Sequence, residues 1–260
     1  MTAIAMSQAD ILIVEDDDNL AKTLASGLTR LSDGGLHVDI CNNGLDAIER
    51  ISKHKFDMVI SDLKMPGISG IDLVAYIRQH HPNTFTILMT AYDSDEIAAR
   101  AAQVTDAYLA KPFNLPELAD LIQTLLPRPV KTGELALTRR ILIVEDEQYF
   151  RRLLGKALRR AGFEVFQAAS MQEARSLIDQ HNFHALLCDV QVGDGLGVNL
   201  IREKRAILAE HDTKIIMVTG EARYRDIGEE LEVDLYLEKP VSIESLITLV
   251  SRLIAKAGGE

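Results

Sequence analysis

The feature that most limits how this chain can fold is a long-period internal repeat. Ile11-Leu12-Ile13-Val14-Glu15-Asp16-Asp17 returns as Ile141-Leu142-Ile143-Val144-Glu145-Asp146-Glu147, 130 positions later. Lys111-Pro112 returns as Lys239-Pro240 after 128 positions, and Met89-Thr90 is answered by Val218-Thr219 after 129. Offsets this steady mark the duplication of a whole domain rather than a solenoid of short units. The chain's 260 residues leave room for two domains of ordinary size. We expect one over 8–126 and the other over 139–257, joined by a linker at 127–138. Pro127-Arg128-Pro129-Val130-Lys131-Thr132-Gly133 has no apolar period and carries two prolines and a glycine. Pro127 also stops the helix before it.

Inside each copy, short apolar runs alternate with amphipathic stretches. The first copy predicts strands at 11–14, 37–40, 57–61, 85–89 and 106–109, with helices at 18–31, 44–53, 70–80, 94–103 and 115–126. Leu20, Leu24, Leu28 and Leu31 fall on one face of the first of these helices. The second copy predicts strands at 141–144, 163–167, 184–188, 213–218 and 233–237, with helices at 148–161, 170–181, 196–208, 222–230 and 242–256. Five strands alternating with five helices imply an α/β fold with a parallel sheet covered on both faces. Runs such as Met58-Val59-Ile60, apolar at every position, fit strands buried on both sides.

Composition narrows the class. The net charge is −11, from 28 basic and 39 acidic side chains, which argues against a nucleic-acid partner. No apolar run approaches the roughly 20 residues of a membrane span, and Met1 to Asp10 has no signal-peptide pattern. Two cysteines, Cys41 and Cys188, form neither a disulfide framework nor a metal site. A cytoplasmic protein is the expectation, without membrane insertion.

The polar residues then fall into place on this scaffold. Glu15 and Asp16 follow strand one, Asp62 follows strand three, Thr90 ends strand four and Lys111 ends strand five. Glu145, Asp146, Asp189, Thr219 and Lys239 repeat the pattern. In an open parallel sheet, ligands bind at this carboxyl edge. Three carboxylates meeting in one crevice repel, each pair at 4 Å by about 4 kcal/mol at an effective dielectric near 20. A divalent cation plus one lysine balances them, and all-oxygen ligands suit magnesium. One carboxylate can attack phosphorus to form an acyl phosphate. Magnesium and lysine would offset charge on the transferring group, and the threonine hydroxyl could donate to it.

These residues, in this order, resemble the response-regulator receiver family over about 115 residues in each copy. The first copy matches at Glu15-Asp16, Asp62-Leu63-Lys64-Met65-Pro66-Gly67, Thr90-Ala91 and Lys111-Pro112, with Tyr108 at the family's switch-aromatic position. The second matches at Glu145-Asp146, Asp189, Thr219-Gly220, Tyr236 and Lys239-Pro240. The resemblance implies two doubly wound (βα)5 flavodoxin-like domains, each with strand order 2-1-3-4-5. It implies phosphoacceptors at Asp62 and Asp189, charged from the phosphohistidine of a histidine kinase or phosphotransfer protein. Magnesium, one ion per domain and replaceable by manganese, would be held by Asp16, Asp62 and the Lys64 backbone carbonyl, with Glu15 acting through water. The counterparts are Asp146, Asp189, the Gln191 backbone carbonyl and Glu145. Thr90, Lys111, Thr219 and Lys239 would stabilise the phosphoryl group. Tyr108 and Tyr236 would turn inward on phosphorylation and switch contacts with a downstream protein or a second copy.

The copies differ. After Asp189 the chain reads Val190-Gln191-Val192-Gly193-Asp194-Gly195, without the family's proline. That predicts a looser loop, and Asp194 an added charge beside the site. Asp17 and Asp18 read only as helix-capping acids. Arg151-Arg152 and Arg159-Arg160 read as a solvated face or as a dock for an acidic partner. Tyr92 and Glu221, with Lys64 and Gln191, occupy positions that tune hydrolysis in the family and predict unequal phosphoryl lifetimes. No output domain is expected after Lys256-Ala257-Gly258-Gly259-Glu260. Enzyme activity beyond self-phosphotransfer and autodephosphorylation is not expected, because Lys64 and Gln191 stand where aspartate-nucleophile phosphatases need a second acid. A scaffold or phosphate sink, with the second copy acting unphosphorylated, is the competing reading.

Overall fold

The computed structural model describes residues 8–32, 34–91, 104–126, 139–220, 233–239 and 241–256. The chain divides into two compact units, Met1–Arg128 and Pro129–Glu260. The expected helices at 94–103 and 222–230, the linker, and Tyr92, Glu221 and Pro240 lie outside the described residues.

In the first unit β1 (Ala9–Val14), β2 (Leu36–Cys41), β3 (Met58–Asp62), β4 (Phe85–Ala91) and β5 (Ala107–Lys111) form one sheet of order β2-β1-β3-β4-β5. Every neighbouring pair is parallel. The centre is apolar because both faces are covered: Ile11 to Val14 and Met58 to Ile60 are inaccessible to solvent. On one face α2 (Gly44–Lys53) and α3 (Gly70–His80) supply Ala47, Ile51, Leu73 and Ile77 to a cluster with Leu12, Val14 and Val59. α1 (Asp18–Leu31) and α4 (Leu115–Leu125) pack against each other. The expected leucine stripe is present: Leu24 and Leu28 are buried, and Leu20 and Leu31 are half-buried.

The second unit repeats the plan. β6 (Arg140–Val144), β7 (Glu164–Ala168), β8 (Ala185–Asp189), β11 (Lys214–Thr219) and β12 (Leu235–Glu238) form a parallel sheet of order β7-β6-β8-β11-β12. Counted within the unit this is again 2-1-3-4-5, so both units are flavodoxin-like. Its helices among the described residues are α5 (Gln148–Arg160), α6 (Met171–Gln180), α7 (Gly197–Glu210) and α8 (Ile243–Lys256). One feature has no expectation behind it. β9 (Gln191–Val192) and β10 (Gly195–Leu196) pair antiparallel as a small hairpin directly after Asp189.

The strand order positions the sites. β1 and β3 are adjacent, and their chains leave toward opposite sides, β1 to β2 and β3 to β4. That reversal opens a crevice at the carboxyl edge. Val14 pairs with Ser61, so Glu15 and Asp16 emerge beside Asp62. In the second unit Val144 pairs with Cys188 and brings Glu145 and Asp146 beside Asp189.

Candidate functional site

Each acid comes from a strand end whose direction the sheet fixes. Asp62 and Asp189 are the last residues of β3 and β8, one place inside the strands rather than just after them. In the first unit Glu15, Asp16 and Asp62 each offer a carboxylate oxygen, and these lie within 4.8 Å of one another. Lys111, the last residue of β5, reaches back to 2.9 Å from Glu15 Oε2 and 3.0 Å from Asp62 Oδ1. Glu15 is buried and Asp16 exposed. Burial, with the Asp62 charge nearby, holds the Glu15 carboxyl above the ordinary carboxylate range against the pull of Lys111. Burial works against the Lys111 ammonium too, but its hydrogen bonds to Glu15 and Asp62 outweigh that and strengthen its hold on the proton.

Thr90 is buried one residue before the end of β4, and its hydroxyl donates to the Ala91 carbonyl at 3.4 Å, a length that weakens the bond. Lys64 is exposed in the loop after Asp62, and the Leu63 N–H donates to Asp62 Oδ1 at 2.9 Å. Tyr108 on β5 is 44% exposed. Asp17 caps α1, accepting from the Asn19 and Leu20 N–H groups, and Asp18 pairs with Lys22. Asp17 does what the capping reading expects, and Asp18 is an acid in the first turn of α1.

The second unit gathers Glu145, Asp146 and Asp189 within the same 4.8 Å. Lys239 follows β12 and lies 2.7 Å from both Glu145 Oε2 and Asp189 Oδ2, with Phe150 of α5 beneath the ammonium at 4.8 Å from its ring centroid. The Glu145 carboxyl is held up by burial, with Lys239 opposing, and Lys239 keeps its proton through hydrogen bonds to Asp189 and Glu145 that outweigh its burial. Thr219 is buried at the end of β11. Tyr236 is half-buried and packs against the core cluster that includes Met217 and Leu200.

The loop after Asp189 departs from what the sequence predicts. A paired hairpin occupies it, and Asp194 bonds to α6 rather than to the acids. The hairpin turns Asp194 toward α6, where Oδ1 accepts from Met171 N–H at 2.7 Å and Oδ2 from Gln172 N–H at 3.2 Å. Those bonds, the Met171 one foremost, pull its carboxyl below the ordinary value. Gln191, in β9, donates its N–H to Asp189 Oδ1 at 3.2 Å, and Gly193 donates to Asp146 Oδ2 at 2.9 Å. Arg151 is not simply solvated either: its Nη1 donates to the Glu145 and Asp146 carbonyls at 2.5 and 3.0 Å.

Two glycines escaped the sequence reading. Gly70 and Gly197 open the helices after the two acid loops, and their N–H groups donate to the Leu63 and Val190 carbonyls. A Cβ at Gly70 would sit 2.1 Å from the Asp62 carbonyl oxygen, and one at Gly197 2.3 Å from that of Asp189. The signal was available: a glycine eight residues after the candidate aspartate in both copies.

Two part-buried acid–lysine clusters, each at the carboxyl edge of its own sheet, match a known pattern. The family model described as "Response regulator receiver domain" matches residues 11–123 and again 141–251. The chain belongs to the response-regulator receiver family. Its two receiver domains stand in tandem, and receivers are signalling domains of two-component systems rather than enzymes in the usual sense. A response regulator receiver protein of Anaeromyxobacter sp. strain Fw109-5 is 30% identical over 248 residues, 95% of this chain and 96% of that protein. The response regulator PilR of Pseudomonas aeruginosa is 34% identical over 122 residues, which are 46% of this chain and only 27% of PilR. A solved two-component response regulator/GGDEF domain protein aligns over 96% of this chain and all of its own, with TM-score 0.51. At 20% identity that likeness carries the fold alone. Receiver domains generally bind magnesium through acidic residues and interact with histidine kinases or phosphotransfer proteins, and both acidic clusters here have the all-oxygen donors such an ion takes. Among the described residues, no helix is long and apolar enough to cross a membrane.

Proposed function

We propose that each receiver accepts a phosphoryl group, the first on Asp62 and the second on Asp189, from the phosphohistidine of a histidine kinase or phosphotransfer protein. The observation that carries this is the lysine ammonium bound at once to the glutamate and the candidate acceptor, in both units. In the transfer an aspartate oxygen bonds to phosphorus while the P–N bond to the donor imidazole breaks. The electron pair stays on the ring nitrogen, which takes a proton from solvent.

Asp16, Asp62 and the Lys64 carbonyl would hold magnesium in the first domain, with Glu15 through water. Asp146, Asp189 and the Gln191 carbonyl would do so in the second, with Glu145 through water. Manganese has the same ligand preferences. The bound ion supplies positive charge against the phosphoryl oxygens. Lys111 and Lys239 supply the rest from the other side, and the Thr90 and Thr219 hydroxyls donate once the group is in place. Tyr108 and Tyr236 then turn in behind the threonines and alter the surface offered to a downstream protein or a second copy. The domains extend over 8–126 and 139–257, with 127–138 as linker. The two cysteines, free and buried, fit a reducing cytoplasm.

The test is labelling of the full chain by a radiolabelled small acyl phosphate, with and without magnesium. Wild type should take up to two phosphoryl groups per chain, Asp62→Asn and Asp189→Asn one each, and the double variant none. Undiminished labelling of the double variant overturns the assignment. Label on Asp62 alone leaves the second domain as an unphosphorylated scaffold.

A further inference from the structure

The two acid clusters share ligands but not surroundings. Among the described residues no donor reaches the Asp16 carboxylate, and position 21, the counterpart of Arg151, is a buried alanine. In the second unit the Arg151 guanidinium sits on the carbonyls of Glu145 and Asp146, and the Gly193 N–H occupies Asp146 Oδ2. Asp194 anchors that hairpin to the first turn of α6 through two backbone bonds, so the amide is held in position.

These differences act in one direction, and Lys64, exposed two residues after Asp62 where the second unit has Gln191, acts in the other from solvent. The first cluster sets three carboxylates against one ammonium and one amide, the Leu63 N–H on Asp62. The second sets three against an ammonium, the Arg151 guanidinium and two amides, the Gln191 N–H on Asp189 and the Gly193 N–H on Asp146. A divalent cation entering the second cluster meets less negative potential and one more positive charge, and it competes with an N–H for an Asp146 oxygen.

Resting on the reading that both clusters take a divalent cation, we propose that the second site binds it more weakly than the first, with Arg151 and the Gly193 amide setting the difference. When the cation is limiting, only the first domain is loaded. Arg151 acts here through the field and carbonyl geometry of the site, as a positioning residue.

Titration of the full chain with Mn2+, reading free ion by electron paramagnetic resonance, tests this. Two classes of bound manganese are expected, differing by roughly tenfold in affinity, the fold-change of a modest charge interaction. Asp16→Asn should abolish the tight class and Asp146→Asn the weak one. Arg151→Met should tighten the weak class severalfold and leave the tight class unchanged, whereas Arg151→Lys, which keeps the charge, should leave it weak. Equal affinities in wild type, or a weak class that Asp16→Asn removes, overturn the proposal while sparing the metal reading. No bound manganese in any variant overturns both.

Discussion

At the residue scale, the demand on each site falls as heavily on what is missing as on what is present. Gly70 and Gly197 carry no chemistry, yet any side chain there would strike the carbonyl of the candidate acceptor. The obstacle is backbone, which cannot swing away as a flexible side chain would. Gly70→Ala should therefore destabilise the first domain by about 1–3 kcal/mol and lower labelling of Asp62. Urea unfolding with no shift would show that the loop gives way freely. His184 sets a different dependence. Its Nδ1 accepts the Arg140 N–H, and partial burial, then Arg139 and Arg140, hold its pKa below the ordinary value. The neutral ring is thus favoured in the folded state. Its contribution is present above the unfolded-state pKa and is lost as pH falls through the depressed folded value. The second domain's melting temperature should decline modestly, the ring being largely exposed, as pH drops below the usual histidine range. His184→Gln should flatten that decline, and an unaltered profile in the variant would contradict the assignment.

At the element scale, the same physics explains what the sequence disclosed and what it withheld. The central strands were legible because both faces are buried, so Met58-Val59-Ile60 reads as apolar at every step. α1, α2 and α3 begin and end where the sequence predicts, and in the structure Asp17, Asn43 and Ser69 cap them. The β9–β10 hairpin was not legible. Two residues per strand are too few for a period, and a missing proline looks like slack when it is in fact replaced by cross-strand pairing. Asp194 was misjudged for a related reason: its partners, the Met171 and Gln172 amides, are distant in sequence, and an acid near an acid cluster reads as a member of it. Arg151 was legible as a surface cation but not as a partner of the acid loop, because its targets are backbone carbonyls, which leave no trace in sequence. A cap that is legible makes a clean prediction. Asn114 and Glu117 form a reciprocal capping box on α4, the helix that follows Lys111. Asn114→Ala should cost the first domain about 1 kcal/mol in urea unfolding, and a loss near zero would mean that tertiary packing alone holds the helix start.

At the scale of the whole molecule, duplication kept the chemistry and changed its setting. Strand order, sheet edge, three acids, threonine and lysine recur, whereas the loop after the third strand, the Arg151 contact from the first helix and the exposure of Tyr108 against Tyr236 do not. Under the proposed assignment, two acceptors in one chain would differ in their surroundings. All of this depends on where the phosphoryl group is bonded. Borohydride reduction of the chain after treatment with a small acyl phosphate and magnesium converts an aspartyl phosphate to homoserine, which peptide mass spectrometry locates. Homoserine at positions 62 and 189 is the predicted result. Homoserine at Asp16 or Asp146, or at no aspartate in the chain, would contradict it.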